Sequence, residues 1–465
     1  MRKNIYAILV ITTLLTNPLG ATIWNVGPAQ TYTMPSQVAP LVNHGDTINI
    51  DAGIYNSNVC AWNKNNLLIR CVNGMAHLKS NGLSHADKGI WVIQGNNTTV
   101  DHIEFSLCTS TSQNGAGIRQ EGQNLIVRYC YFHDNENGIL AGAITPCKIT
   151  VEFTEFNLNG AGDGFSHNLY IGHVDTLLFR YNYSHHCKIG HELKSRAKVN
   201  YILYNRFGNE ASGTASREID LPNGGLSIIM GNQIQQGVNG TNSGIIGYGL
   251  EGLTNPAPNN FYLINNTIVN EKTVGTFVAI QNGTALYKGY NNIFAGTGTL
   301  LTGTTTVLDT LSNKKYTIAA AGFVNSATYN YHLLPPCSAI NSATAAGTAS
   351  NGYVLAPIKE YLHPVNQINR TVQGILDIGA YEYVSPTFIQ EQKINDAVLF
   401  VRNETLIIKN SETISCIKLY DISGKLILTE KTKQDIPVST FVKGIYIVSI
   451  ITESGNIINK KIVIY

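Results

Sequence analysis

Charged side chains are scarce in this sequence. Only 13% of its 465 residues are Asp, Glu, Lys or Arg, and the formal net charge is +2. No global basic field exists to attract a nucleic acid, so none is expected as a partner. Long apolar runs are scarce as well. The run over residues 5–15 is too short to span a bilayer comfortably, and nothing after Ala21 continues it. Arg2 and Lys3 precede that run, and Pro18, Gly20 and Ala21 follow it. Residues 1–21 therefore read as a secretory signal peptide, with an uncleaved anchor as the alternative. No transmembrane segment is expected once it is removed. Metal-type cysteine spacing is also missing: the eight cysteines form no CxxC pair and no zinc pattern. Most sit in apolar strand-like stretches and read as buried free thiols, although an exported chain can pair some of them.

What is present is Gly (43 residues), Tyr (24) and abundant Asn, often in pairs. These are mediocre helix formers and suit short strands joined by tight turns. A repeat runs through VDHIEF (100–105), VRYCYF (127–132), VEFTEF (151–156), FRYNYS (179–184), ILYNRF (202–207), IMGNQI (229–234) and LINNTI (263–268). Its variable position is Ile103, Cys130, Thr154, Asn182, Asn205, Asn232 and Asn266, with steps of 27, 24, 28, 23, 27 and 34 residues. Another copy surrounds Asn291 and Asn292. A period in the twenties with short strands means a solenoid, in which stacked coils bury a shared core. An inward Asn at one turn of each coil can hydrogen-bond to the coils above and below, and Asn tolerates the left-handed conformation. Leucine-rich repeats are excluded because their regular leucines are absent.

This pattern resembles the pectate-lyase-like right-handed parallel β-helix superfamily. Residues 23–57 resemble its N-terminal cap and first coil, and residues 331–383 its closing coils, so the resemblance covers residues 22–384. A linker follows at 385–392. Residues 393–465 change to alternating strands and turn residues, the pattern of a small antiparallel β-sandwich. The phrases YDISGKLI (420–427), KGIYIVSI (443–450) and the terminal KKIVIY resemble the type A sorting domain of the type IX secretion system of Bacteroidetes. That resemblance implies export through the periplasm and outer membrane by the type IX machinery, to a secreted or cell-surface location. A carbohydrate-binding sandwich is the alternative.

Polar residues concentrate in one region. Five of the twelve histidines lie between His167 and His191, and HNLY (167–170), HHCKIGHELKSRA (185–197), SREIDLPNGG (216–225) and YGLEG (248–252) follow closely. Strand alternation turns Leu169, Ile171, Leu193, Ile219 and Leu221 inward. It then turns Asn168, Tyr170, Glu192, Lys194, Arg196, Glu218 and Asp220 outward. The spacings Tyr170 to Lys194 (24), Lys194 to Asp220 (26) and Asp220 to Tyr248 (28) are each close to one coil. Four successive rungs of one sheet should thus carry a polar stack about 15 Å long, the size of a few sugar rings. The bland alternative is a solvated face with structural ion pairs.

Two chemistries fit these residue types. One is β-elimination on an acidic, uronic-acid-containing polysaccharide, with Lys194 as base, Arg196 neutralising the carboxylate, and Tyr170, His167 or His191 as the acid. The other is glycoside hydrolysis by paired carboxylates, with Glu218, Asp220 and Glu251 available. A non-catalytic glycan-binding surface protein is a third reading. Asn168, Glu218, Asp220, Tyr248 and Glu251 are the expected substrate contacts. The segment HELKSRAKVNYILYNRF (191–207), followed by IMGNQI, is similar to the chondroitinase-B and alginate-lyase family. That resemblance implies Lys194 as the base, with Ser195 as its partner. The family's acid, an Arg on the next rung, is absent, since Glu218, Asp220 and Pro222 occupy that region. Calcium is the one cofactor to consider, with Glu192 and Glu218 as its ligands.

Overall fold

The structure is a computed structural model. It describes residues 20–385 and, from 398 to 464, all residues but 403, 410–412, 432–434 and 456. The expected signal peptide and nearly all of the expected linker lie outside the described residues. The chain divides into two compact units between Val384 and Ser385.

The first unit is a right-handed parallel β-helix. Ten short strands, from Cys60–Trp62 to Thr299–Thr302, form one parallel sheet. Twenty-one more form the remaining wall as two files of parallel strands. The files join where the long strand Leu68–Lys79 pairs with Thr98–Asp101 at one end and Ile103–Ser106 at the other. Every coil contributes apolar residues to one continuous core, in which Phe105, Phe132, Phe156, Phe179 and Phe207 succeed one another along the axis.

The bend between the two files is held by the expected ladder. The backbone N–H of each ladder residue donates to the side chain one coil on. Thr154 donates to Asn182, Asn182 to Asn205, Asn205 to Asn232, Asn232 to Asn266, and Asn266 to Asn292, at 2.8–2.9 Å. The left-handed conformation belongs to the preceding residue: Tyr129, Phe153, Tyr181 and Tyr204 have φ between 49° and 61°. Their rings stack on the outside, 4.8–5.8 Å apart. The row stops at Gly231 (φ 69°), where a Cβ would lie 2.6 Å from the Tyr204 ring.

Residues 331–383 do not form closing coils. Within and just before them the chain makes two antiparallel hairpins, Phe323–Asn325 with Asn330–Leu333 and Lys359–Leu362 with Asn366–Asn369. This segment packs on the outer face of the files. Ala346, Ala349 and Leu355 cover Tyr181, Tyr204, Met230 and Tyr262, so outward aromatics find a second apolar layer. The buried Arg370–Glu382 pair (2.7 Å) braces it.

The second unit holds a three-stranded and a four-stranded antiparallel sheet over its own core of Leu406, Ile408, Ile417, Leu419, Val448 and Ile450. Among the described residues all eight cysteines are free, and six are buried. No helix among them is long and apolar enough to cross a membrane.

Candidate functional site

The polar patch stands on four neighbouring strands of the ten-stranded sheet: Leu169–Ile171, Leu193–Ser195, Ile219–Leu221 and Gly244–Tyr248. Leu169, Ile171, Leu193, Ile219 and Leu221 are fully buried in the core. The residue between them faces outward, and the register sets Tyr170 beside Lys194 and Lys194 beside Asp220. On the next rung Asp220 meets Gly247, and Tyr248 pairs with Leu221. Tyr248 therefore points inward, correcting its expected place as a substrate contact: one residue of register reverses the face. It stacks on Phe261 (4.8 Å) and donates its hydroxyl to the Gly225 carbonyl at 2.5 Å. Gly247 has a steric role, because a Cβ there would lie 2.8 Å from Asp220 Oδ1.

Lys194 and Arg196 grip one carboxylate. Lys194 Nζ lies 2.7 Å from Glu251 Oε1, and Arg196 Nη2 2.6 Å from Glu251 Oε2. Glu251 arrives on the loop after Gly244–Tyr248 and is the most exposed member of the group, with 45% of its side chain open to solvent. Burial alone would raise its pKa, but the hydrogen bonds from Lys194 and Arg196 outweigh it and hold the carboxyl low. Arg196 also donates from Nε to Tyr170 Oη (2.8 Å) and from Nη1 to Asn223 Oδ1 (2.6 Å). Asn223, and Asn255 bridging the Ala197 and Gly224 carbonyls, brace this corner. Sequence reasoning missed both, though Asn223 sits within the quoted SREIDLPNGG.

Asp220 lies deeper, with three cationic or imidazole groups around it. Lys194 Nζ, Arg217 Nη1 and His191 Nε2 are each 3.6 Å from its carboxylate oxygens. Burial raises its pKa, and the pull of Arg217 and Lys194 in the other direction does not overcome it. Arg217 is a third residue that sequence reasoning overlooked. His167 and His191 stack 4.9 Å apart, and His167 also stacks on Tyr170 at 5.7 Å. Burial and the neighbouring Lys194 depress both histidines, His167 to about 3, so both are neutral. Each accepts a backbone N–H at Nδ1, His167 from His191 and His191 from Arg217, at 3.0 and 3.2 Å. The remaining proton thus sits on Nε2, which makes both rings hydrogen-bond donors.

Asn168, Glu192 and Glu218 do not face outward. All three are fully buried. They continue a second internal ladder, in which Asn135 donates to Asn159 (3.0 Å) and Asn159 to Asn168 (2.9 Å). Glu192 accepts from the Cys187 N–H at 2.9 Å, from Ser184 Oγ at 3.0 Å, and from Asn168. Glu218 Oε1 accepts from Asn209 at 3.0 Å, while its Oε2 has no hydrogen-bond partner among the described residues. Burial pushes both carboxyls strongly upward, and Glu192 raises Glu218 further. Calcium needs free oxygen lone pairs. Those of Glu192 are taken by N–H and O–H donors, and Glu218 offers only one oxygen without a partner, so the pair does not fit the cation. Ser195 also turns inward, donating to Asn200 Oδ1 (2.6 Å), and is no partner of Lys194.

Comparison with known proteins agrees with this architecture. Residues 402–465 match the family described as Secretion system C-terminal sorting domain. A tail of this kind directs a chain to the secretion machinery, and so to the cell surface or the exterior. Among solved structures, pectate lyase Pel9A superposes with a TM-score of 0.53 at 16% identity, over 78% of this chain and 96% of its own. A variant of the PL6 family alginate lyase AlyGC gives a TM-score of 0.30 at 13% identity, over 58% and 52%. No curated protein matches. Together, fold and match establish a right-handed parallel β-helix like that of pectate lyase Pel9A, followed by a secretion-system C-terminal sorting domain.

Proposed function

We propose that the protein is an exported polysaccharide lyase that cleaves a uronic-acid-containing glycan by β-elimination, with the type IX machinery as its exporter. The observation that carries this reading is the carboxylate held jointly by Lys194 and Arg196. A cationic fork that binds Glu251 at 2.7 and 2.6 Å is built to bind the carboxylate of a uronate. The kinship in fold with a protein named as a pectate lyase supports it.

In this reading the substrate carboxylate displaces Glu251 from Arg196, which neutralises it and acidifies C5. Lys194, released from Glu251, gives one proton to solvent and, as the neutral amine, takes the C5 proton. The C5–H electrons form the C4=C5 double bond as the C4–O4 bond breaks. Tyr170, whose hydroxyl accepts from Arg196 and is free to donate, protonates the departing O4. His167 and His191 donate to substrate oxygens from Nε2 and do not act as bases. The hydrolase alternative loses Glu218, which is sealed in the core, and is left with Asp220 and Glu251.

The test is incubation with a panel of uronate polysaccharides while following the ultraviolet absorbance of unsaturated ends. Lys194→Ala should lower the rate by about 10³-fold. Chain cleavage without that chromophore, or binding without cleavage across the panel, rejects the reading.

A further inference from the structure

The outer face of the other wall carries a His-Glu-His cluster. His77, Glu104 and His133 lie on three successive rungs, in the strands Leu68–Lys79, Ile103–Ser106 and Tyr131–His133. Alternation turns all three outward while Ala76, Leu78, Phe105 and Phe132 fill the core. His77 Nδ1 is 3.4 Å and His133 Nε2 3.0 Å from the same oxygen, Glu104 Oε1. All three potential ligand atoms lie within 4.8 Å of one another.

We propose that this cluster is a binding site for a divalent transition ion of the zinc type. Two imidazole nitrogens and one carboxylate are a borderline donor set, unsuited to calcium or magnesium, which take oxygen ligands. A tetrahedral zinc at its usual bond lengths holds its ligand atoms about 3.4 Å apart, close to the 3.4 and 3.0 Å between each imidazole nitrogen and Glu104 Oε1. The far nitrogen of each ring is already anchored. His77 Nε2 meets Ser106 Oγ at 2.7 Å, and His133 Nδ1 meets Asp134 Oδ2 at 2.9 Å. The second contact is the carboxylate–histidine arrangement that orients metal-bound imidazoles. It also places a carboxylate against both nitrogens of His133, a polarity that a cation between His133 and Glu104 satisfies. Lys79, on the same face, opposes a cation by charge, as does Lys188, whose Nζ is 3.5 Å from Asp134 Oδ1; the Glu104 carboxylate, which both imidazoles face, supplies the negative charge at the site itself. The side chains of His77, Glu104 and His133 are 19–23% exposed, so a fourth coordination position opens to solvent.

The test uses the full chain, stripped with a chelator and titrated with Zn²⁺ against a chromophoric competitor. One ion per chain is expected. Asp134→Asn, which leaves the ligands in place, should weaken binding about 10- to 100-fold. Glu104→Gln and the double variant His77→Ala/His133→Ala should weaken it further, while circular dichroism reports an unchanged fold. Absence of stoichiometric uptake by the folded wild-type chain overturns the proposal. So does uptake that persists unchanged in Glu104→Gln and the double variant, which would place the ion on cysteines or elsewhere.

Discussion

In the proposed mechanism Glu251 occupies the place a substrate carboxylate needs, and it does so from the most exposed position of the group. Replacing it with Gln removes the competing charge without shortening the side chain. Glu251→Gln should lower KM for a uronate polymer several-fold while leaving kcat within about twofold, and initial-rate kinetics would show the split. Glu218 makes a different prediction. Well below pH 4.5 its carboxyl is protonated in both folded and unfolded chains. As pH rises toward 8 the unfolded chain ionises, while burial and the neighbouring Glu192 keep the folded acid neutral. The fold therefore loses stability over that window. Gln at 218 keeps the Oε1 contact to Asn209 and has no proton to lose. The Tm of Glu218→Gln relative to wild type should thus rise from pH 5 to pH 8, by several degrees; a difference independent of pH would contradict the protonated state.

At the scale of strands and turns, the ladder is the main device. Asn205 donates to the Phe179 carbonyl (2.9 Å) and to Asn232 Oδ1 (3.0 Å), and accepts from the Asn182 backbone (2.9 Å), all out of reach of water. Asn205→Ala should cost about 3 kcal/mol in urea unfolding, because it strands buried partners on both neighbouring coils. Asn205→Thr should cost less, since Thr154 already serves as a ladder acceptor, taking the Cys130 N–H at 3.3 Å. The ladder was legible in the sequence because it depends on one residue type recurring at one turn. The orientation of Tyr170 and Asp220 was legible because apolar neighbours flank each within a strand, and that of Lys194 because Leu193 precedes it. Alternation failed for Asn168, Glu192 and Glu218, which each precede the first strand residue (Leu169, Leu193 and Ile219), where the chain is still turning and the period of two does not apply. The roles of Arg217 and Asn223 depend on contacts between coils, to which no spacing within one strand points.

For the whole molecule, the two units have separate cores. The β-helix coils close over one continuous interior, and the C-terminal sandwich over another. A chain ending at Val384 should therefore stay folded by circular dichroism and keep its Tm within about 2 °C, since each coil is stabilised by its neighbours within a core of its own. Expressed in the native host with residues 1–21 retained, that chain should remain inside the cell envelope, and cell fractionation would report it. The solenoid plan was readable from the period alone. The outer layer over residues 181–262 was not, because hairpins that follow the last coil obey no repeat.

The coil between Asn232 and Asn266 is the longest of the series, 34 residues, and its surplus length includes the loop that delivers Glu251 to Lys194 and Arg196 of earlier rungs. A solenoid tolerates such growth at a corner, because rung pairing on either side is unaffected. The anion in the fork is in this sense a detachable part. Shortening one loop would expose the fork, and exchanging it for another would surround the fork with a different face. Descendants of this scaffold could change what they recognise by editing a dozen residues, with the cationic fork and the Asn ladder left as they are.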